Sequence, residues 1–90
     1  MRVIVSSIAK QQLLDAVVWY QYHGMMHQDF LQAVRHAIER IQQHPTLYTK
    51  VDAKLRAILL PRFPYRIYYG YQPDLPLIEI VEVRHQRQNP

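Results

Sequence analysis

The run Arg62-Phe63-Pro64-Tyr65-Arg66-Ile67-Tyr68-Tyr69-Gly70 leaves this chain the fewest choices. Its aromatics and Ile67 favour a pleated, half-buried strand, and Pro64 is tolerated only at the start of such a strand or on an edge. Strand residues two apart share a face, so Arg66, Tyr68 and Gly70 point one way while Tyr65, Ile67, Tyr69 and Tyr71 point the other. One face therefore reads as core, and the face that carries an arginine reads as a site.

The segments before it are patterned to support that strand. Arg2 to Val5 is a short β-branched run ended by two serines, and Ser6 or Ser7 can cap a helix that follows. From Ile8 to Tyr22, the positions Ala9, Leu13, Ala16, Val17 and Tyr20 recur at helical spacing, and Gly24 suits the stop. From Gln28 to His44, Phe30, Val34, Ala37, Ile38 and Ile41 repeat that period, with Asp29 at the favourable N-terminal end. Pro45 closes this second helix, because the residue before a proline is pushed out of helical geometry. The short link makes the two helices an antiparallel hairpin whose apolar stripes must cover something, and a sheet is the natural partner. Trp19 and Tyr20 are expected to pack that helix pair.

Pro45 to Lys54 reads as loop, and Leu55 to Leu60 and Tyr65 to Tyr71 read as strands separated by a turn at Pro61-Arg62. Gln72 to Pro76 is a second turn, and Leu77 to Arg84 is the last strand. In that strand Ile78 and Ile80 share one face and Val81 and Val83 the other, so either both faces are partly buried or, the favoured reading, a bulge shifts the phase near Val81. The expected fold is α+β, in the order β-α-α-β-β-β. An antiparallel sheet carries a helical hairpin on one face, and residues 1–90 form a single domain.

Ninety residues bury only about 60–65% of the surface that the unfolded chain exposes, so a stabilising partner is expected. The chain has no cysteine, which excludes a disulfide framework, a thiolate nucleophile and a Cys-ligated metal, and suits a reducing cytoplasm. Met1 to Ser6 lacks the apolar core of a signal peptide, and no run approaches the length of a membrane span, so no membrane partner is expected. His23 and His27 stand four apart, but Gly24 breaks the helix that would align them, and no carboxylate nearby completes a ligand set. Neither a metal nor a cofactor is expected. The formal charge of +4 points to an anionic partner, either nucleic acid or an acidic protein segment.

With that order in hand, the chain resembles the RelE/ParE superfamily of bacterial type II toxin-antitoxin toxins. The residues that carry the resemblance are Arg56 and Leu60, Phe63-Pro64-Tyr65-Arg66-Ile67-Tyr68-Tyr69, Ile78, Ile80, Val83, His85, Arg87 and Asn89-Pro90. Upstream, Ser7, Ala9, Trp19-Tyr20, Phe30, Ile38, Ile41 and Pro45 agree. Two branches share that fold. One, RelE-like, cleaves messenger RNA in the ribosome with basic residues on the middle and final strands and often a C-terminal tyrosine. The other, ParE-like, lacks that set and inhibits DNA gyrase.

Arg66 occupies the strand position where the nucleases carry an arginine, but Ala57 and Leu59 stand where they place lysines, and no tyrosine follows Arg84. Cleaving RNA through its 2′-oxygen needs a base, an acid and cations around the phosphorane. Arg66, Arg84 and Arg87 can supply the cations, and His85 is the candidate acid or base among these residues. The resemblance therefore implies a ParE-like (plasmid stabilisation) toxin that inhibits gyrase without being an enzyme. Its binding residues are expected to be Arg62, Tyr65, Arg66, Tyr68, Arg84, His85 and Arg87. A cognate antitoxin with an acidic or amphipathic segment is its implied partner. The alternatives are a ribosome-dependent endoribonuclease using Arg66, Arg84, His85 and Arg87, and a degenerate member that binds its antitoxin without toxicity. For an arginine in a strand, the plain alternative is an ion pair with Glu79 or Glu82 worth about 0–1 kcal/mol.

Overall fold

The computed structural model describes residues 1–87, and Asn89 and Pro90 lie outside the described residues. Its elements are β1 (Arg2–Val5), α1 (Ser7–Tyr22), α2 (His27–Gln43), β2 (Thr49–Lys50), β3 (Arg56–Leu59), β4 (Tyr65–Gln72) and β5 (Leu77–His85). The strands form one sheet in the order β1-β5-β4-β3-β2. The expected α+β architecture holds, with β4, the strand of the opening run, at the sheet's centre. No helix among the described residues is long and apolar enough to cross a membrane.

Two features go beyond the expected order. The sheet is mixed, because β1 pairs parallel to β5 whereas every other neighbouring pair is antiparallel. A parallel neighbour requires a crossover, and here it comprises the helical hairpin and the strands that follow it. Inside the segment expected as loop, Thr49–Lys50 pairs with Arg56–Ala57. Asp52 makes that hairpin possible, since its carboxylate accepts from the Lys54 and Leu55 amides at 2.7 and 2.8 Å. Those two amide bonds, the Lys54 bond first, hold its carboxyl below the usual aspartate range.

α1 begins where the Ser6 hydroxyl oxygen accepts from the Ala9 amide at 3.0 Å. It ends at Gly24, whose φ of +65° suits glycine at the stop. Its inner face buries Ala9, Ala16 and Tyr20, and α2 buries Phe30, Ala33, Val34, Ala37 and Ile41. Against them the sheet places Ile58, Ile67, Tyr69, Ile78, Ile80 and Val83 in one core. Trp19, expected in the helix pair, instead lies 48% exposed, because it stands one residue before the buried Tyr20 and so points about 100° round the helix from it.

The bulge falls where the sequence placed it. Tyr68 opposes Glu82 and Tyr69 opposes Ile80, so Val81 is the extra residue. Two α1-side groups hold it: the Ser6 hydroxyl donates to the Val81 carbonyl at 2.7 Å, and the Val83 amide donates to Gln12 Oε1 at 2.6 Å. Across the core, the Tyr69 hydroxyl donates to the Pro45 carbonyl at 2.7 Å, tying the segment after α2 to the central strand. Burial, the largest influence, pushes the Tyr69 phenol above its ordinary range, although Arg56 opposes it.

Ser6→Ala removes both a helix cap and a bond to the bulge, and is expected to cost about 2 kcal/mol in urea denaturation. Tyr69→Phe is expected to cost about 1 kcal/mol at neutral pH. Because the folded phenol titrates above the unfolded one, its contribution is complete below the ordinary tyrosine pKa and is lost as pH rises through the folded value. The wild-type chain should therefore lose more stability than Tyr69→Phe in alkaline titrations followed by circular dichroism.

Candidate functional site

Alternation along β4 sends Arg66 and Tyr68 to the sheet face opposite the helices, while Ile67 and Tyr69 enter the core. The register sets Leu59, Arg66 and Arg84 in one row and Ala57, Tyr68 and Glu82 in the next. Arg66 thus faces another arginine across the strands. Like charges directly opposed are unfavourable, so this row is poised to accept an anionic group. Arg84 is partly compensated, with its Nε 4.0 Å from Glu82 Oε1 and its guanidinium carbon 6.0 Å from the Tyr68 ring centroid. Arg66 makes no ion pair among the described residues, so neither Glu79 nor Glu82 neutralises it.

Beside this row lies a depression of about 420 Å³ lined by Thr49, Lys50, Val51, Ala57, Leu59, Arg66 and Tyr68. Lys50 is the functional candidate that the sequence reading missed. Its signal was the Asp52 turn, which marks a hairpin and so returns Lys50 alongside β3. Ala57 and Leu59 do occupy the middle of this face, and Leu59 and Val51 are exposed. The result is an apolar floor with cations at its margin, the pattern of a protein-binding surface.

The other expected residues gather elsewhere. The bulge returns His85 to the helix side, where it pairs in register with Tyr65, their ring centroids 5.1 Å apart. His85 Nδ1 accepts from the Arg87 amide at 3.0 Å, which assigns the proton of the neutral ring to Nε2. Arg87 is exposed in the turn after β5. Arg62, Tyr65 and His85 line a groove of about 490 Å³ with Trp19, Met25 and Phe63. The site residues therefore form two surfaces, Arg66, Tyr68 and Arg84 on one face of the sheet and Arg62, Tyr65 and His85 on the other. Arg62 stands at a turn with φ of +68°, the left-handed region that costs a non-glycine residue about 1–2 kcal/mol.

Among the described residues no cluster of three or more histidine and carboxylate groups is arranged to hold a metal. On the Arg66 face the carboxylate nearest the cations, Glu82, already contacts Arg84. That face can attract and orient an anion, and His85, the imidazole expected beside the cations in the nuclease alternative, is on the far side of the sheet.

No curated protein sequence matches the chain. Among solved structures, the fold is similar to one described as the chromosomal ParDE TA system from P. aeruginosa, with a TM-score of 0.76. The match covers 94% of this chain and 95% of that one at 14% identity, a likeness of fold. The model of the ParE toxin of the type II toxin-antitoxin system, parDE, matches residues 3–90, and the chain accordingly belongs to the ParE toxin family.

Proposed function

We propose that this type II toxin acts as a single domain over residues 1–90 in the cytoplasm and inhibits DNA gyrase through the Arg66 face of its sheet. Membership of a toxin-antitoxin family entails a cognate antitoxin, and that antitoxin neutralises the toxin through an acidic or amphipathic segment.

The observation that carries the choice of target is the separation of His85 from Arg66 and Arg84 by the sheet itself. Ribonucleolysis by the expected set of Arg66, Arg84, His85 and Arg87 would need His85 beside the cations, since a positioned acid-base group is typically worth about 10²–10⁴ in rate. The Arg66 face instead joins Arg66 and Lys50 to exposed Leu59 and Val51. Such a surface suits a partner protein, with the arginine as anchor and the apolar floor excluding water.

Induction without antitoxin is expected to halt DNA synthesis and raise the DNA-damage response while transcripts stay intact. In a supercoiling assay, the purified toxin should inhibit gyrase, and Arg66→Ala should raise the concentration required by about tenfold, the loss of one anchoring contact. Its circular dichroism spectrum should match the wild type, since Arg66 is exposed. Codon-phased cleavage of translated messages with unimpeded gyrase would overturn the proposal. Unimpaired growth would instead assign the chain to antitoxin binding alone.

A further inference from the structure

The chain's excess charge is concentrated in one stretch. From Pro45 to Pro73 stand Lys50, Lys54, Arg56, Arg62 and Arg66 against Asp52 alone, so this stretch carries the whole formal excess of +4 and the remainder balances. Three of those cations meet at the outer edge of the sheet. β2 is the last strand on that side, and Lys50 stands directly opposite Arg56 in its pairing with β3. Like charges so opposed repel, and an anion between them turns the repulsion into attraction.

Lys50, Lys54 and Arg56 line a depression of about 230 Å³ together with Thr46 and Tyr71, and no carboxylate is among its lining residues. Asp52, the nearest in sequence, is engaged by the Lys54 and Leu55 amides within its own turn. Arg56 Nη1 donates to the Tyr48 carbonyl at 2.8 Å, which steadies the guanidinium and leaves its other N–H groups to donate elsewhere. None of the three cations makes an ion pair among the described residues. Unlike the Arg66 face, this depression has no exposed large hydrophobic residue in its lining. A protein partner would need an apolar core to bury, whereas a phosphate backbone is held by charge. Tyr71 packs against the hydrophobic core, so its ring is not an open platform on which the bases of a single strand stack.

We infer that this edge holds the phosphate backbone of duplex DNA, with Lys50, Lys54 and Arg56 as its cations and the Thr46 and Tyr71 hydroxyls as neutral donors. The contact reads no sequence, because phosphates carry none. It stands independently of the gyrase reading, yet the two surfaces meet at Lys50, which lines both this depression and the one beside Arg66. The cationic edge therefore adjoins the surface assigned to gyrase, an enzyme whose own substrate is DNA.

The experiment titrates the full chain into a short, fluorescently labelled DNA duplex and follows anisotropy across a series of salt concentrations. Contacts from three cations predict that the logarithm of the binding constant falls against that of salt concentration with a slope of about −2.7. Lys54→Gln and Lys50→Gln, both at exposed positions, should each flatten that slope by about 0.9 and weaken binding about eightfold near 0.1 M salt. Their circular dichroism spectra should match the wild type. Arg35→Gln, an equal change of net charge on exposed α2 surface, should leave the slope unaltered. Four results would overturn the inference: no anisotropy change at low salt, an unaltered slope in both lysine variants, an equal loss in Arg35→Gln, or tighter binding of another polyanion than of the duplex. Preference for poly-glutamate would assign the edge to an acidic protein, and preference for DNA or RNA single strands of the same length would assign it to those. Gyrase is absent from the assay, so failure here is distinguishable from failure of the gyrase reading.

Discussion

The bulge at Val81 is the constraint on which the rest of the sheet depends. In an unbroken β5, Ile78, Ile80, Glu82 and Arg84 would share one face, and burying the isoleucines would carry two charges into the core. One extra residue changes the phase, so that Ile78, Ile80 and Val83 all meet the helices while Glu82 and Arg84 stay on the opposite, partly exposed face. The irregularity would otherwise leave ladder groups unpaired. Ser6 and Gln12 satisfy two of them, the Val81 carbonyl and the Val83 amide, from the first turns of α1. The same contacts that secure the last strand also seat the first helix.

Much of this was legible because it was local. The helical stripes, the Gly24 stop, the Pro45 boundary and the alternation in β4 each lie within a few residues, where period and turn chemistry are unambiguous. The phase conflict between Ile80 and Val81 even disclosed the bulge. Its further meaning was also available: adjacent strand residues face opposite ways, and the change of phase at Val81 decides that His85 and not Arg84 turns to the helix side. What escaped was non-local. β2 is two residues long and has no period, and the direction of β1 is decided by where the chain returns some seventy positions later. The exposure of Trp19 was equally obscure, because apolar residues occur all round α1 and periodicity ranks them poorly.

The central strand distributes its residues with a consequence for both surfaces. Tyr65 and Arg66 are adjacent in the chain, yet one lines the aromatic groove and the other the cationic face. They are joined by a rigid strand whose core side is fixed by Ile67 and Tyr69, both fully buried. The two surfaces are thus separated by the thickness of one sheet and share a backbone, so neither can shift its frame without disturbing the other.

The parallel pairing of β1 with β5 joins residues 2–5 to residues 77–80. During synthesis the helical hairpin can assemble from neighbours, whereas β1 must wait for the final strand, a contact of long sequence separation and correspondingly slow closure. The cationic row waits with it, since Arg66 acquires Arg84 as its neighbour only when β5 docks. A nascent chain therefore carries a preformed helical scaffold but only part of its cationic row, and completion of that row coincides with completion of the sheet.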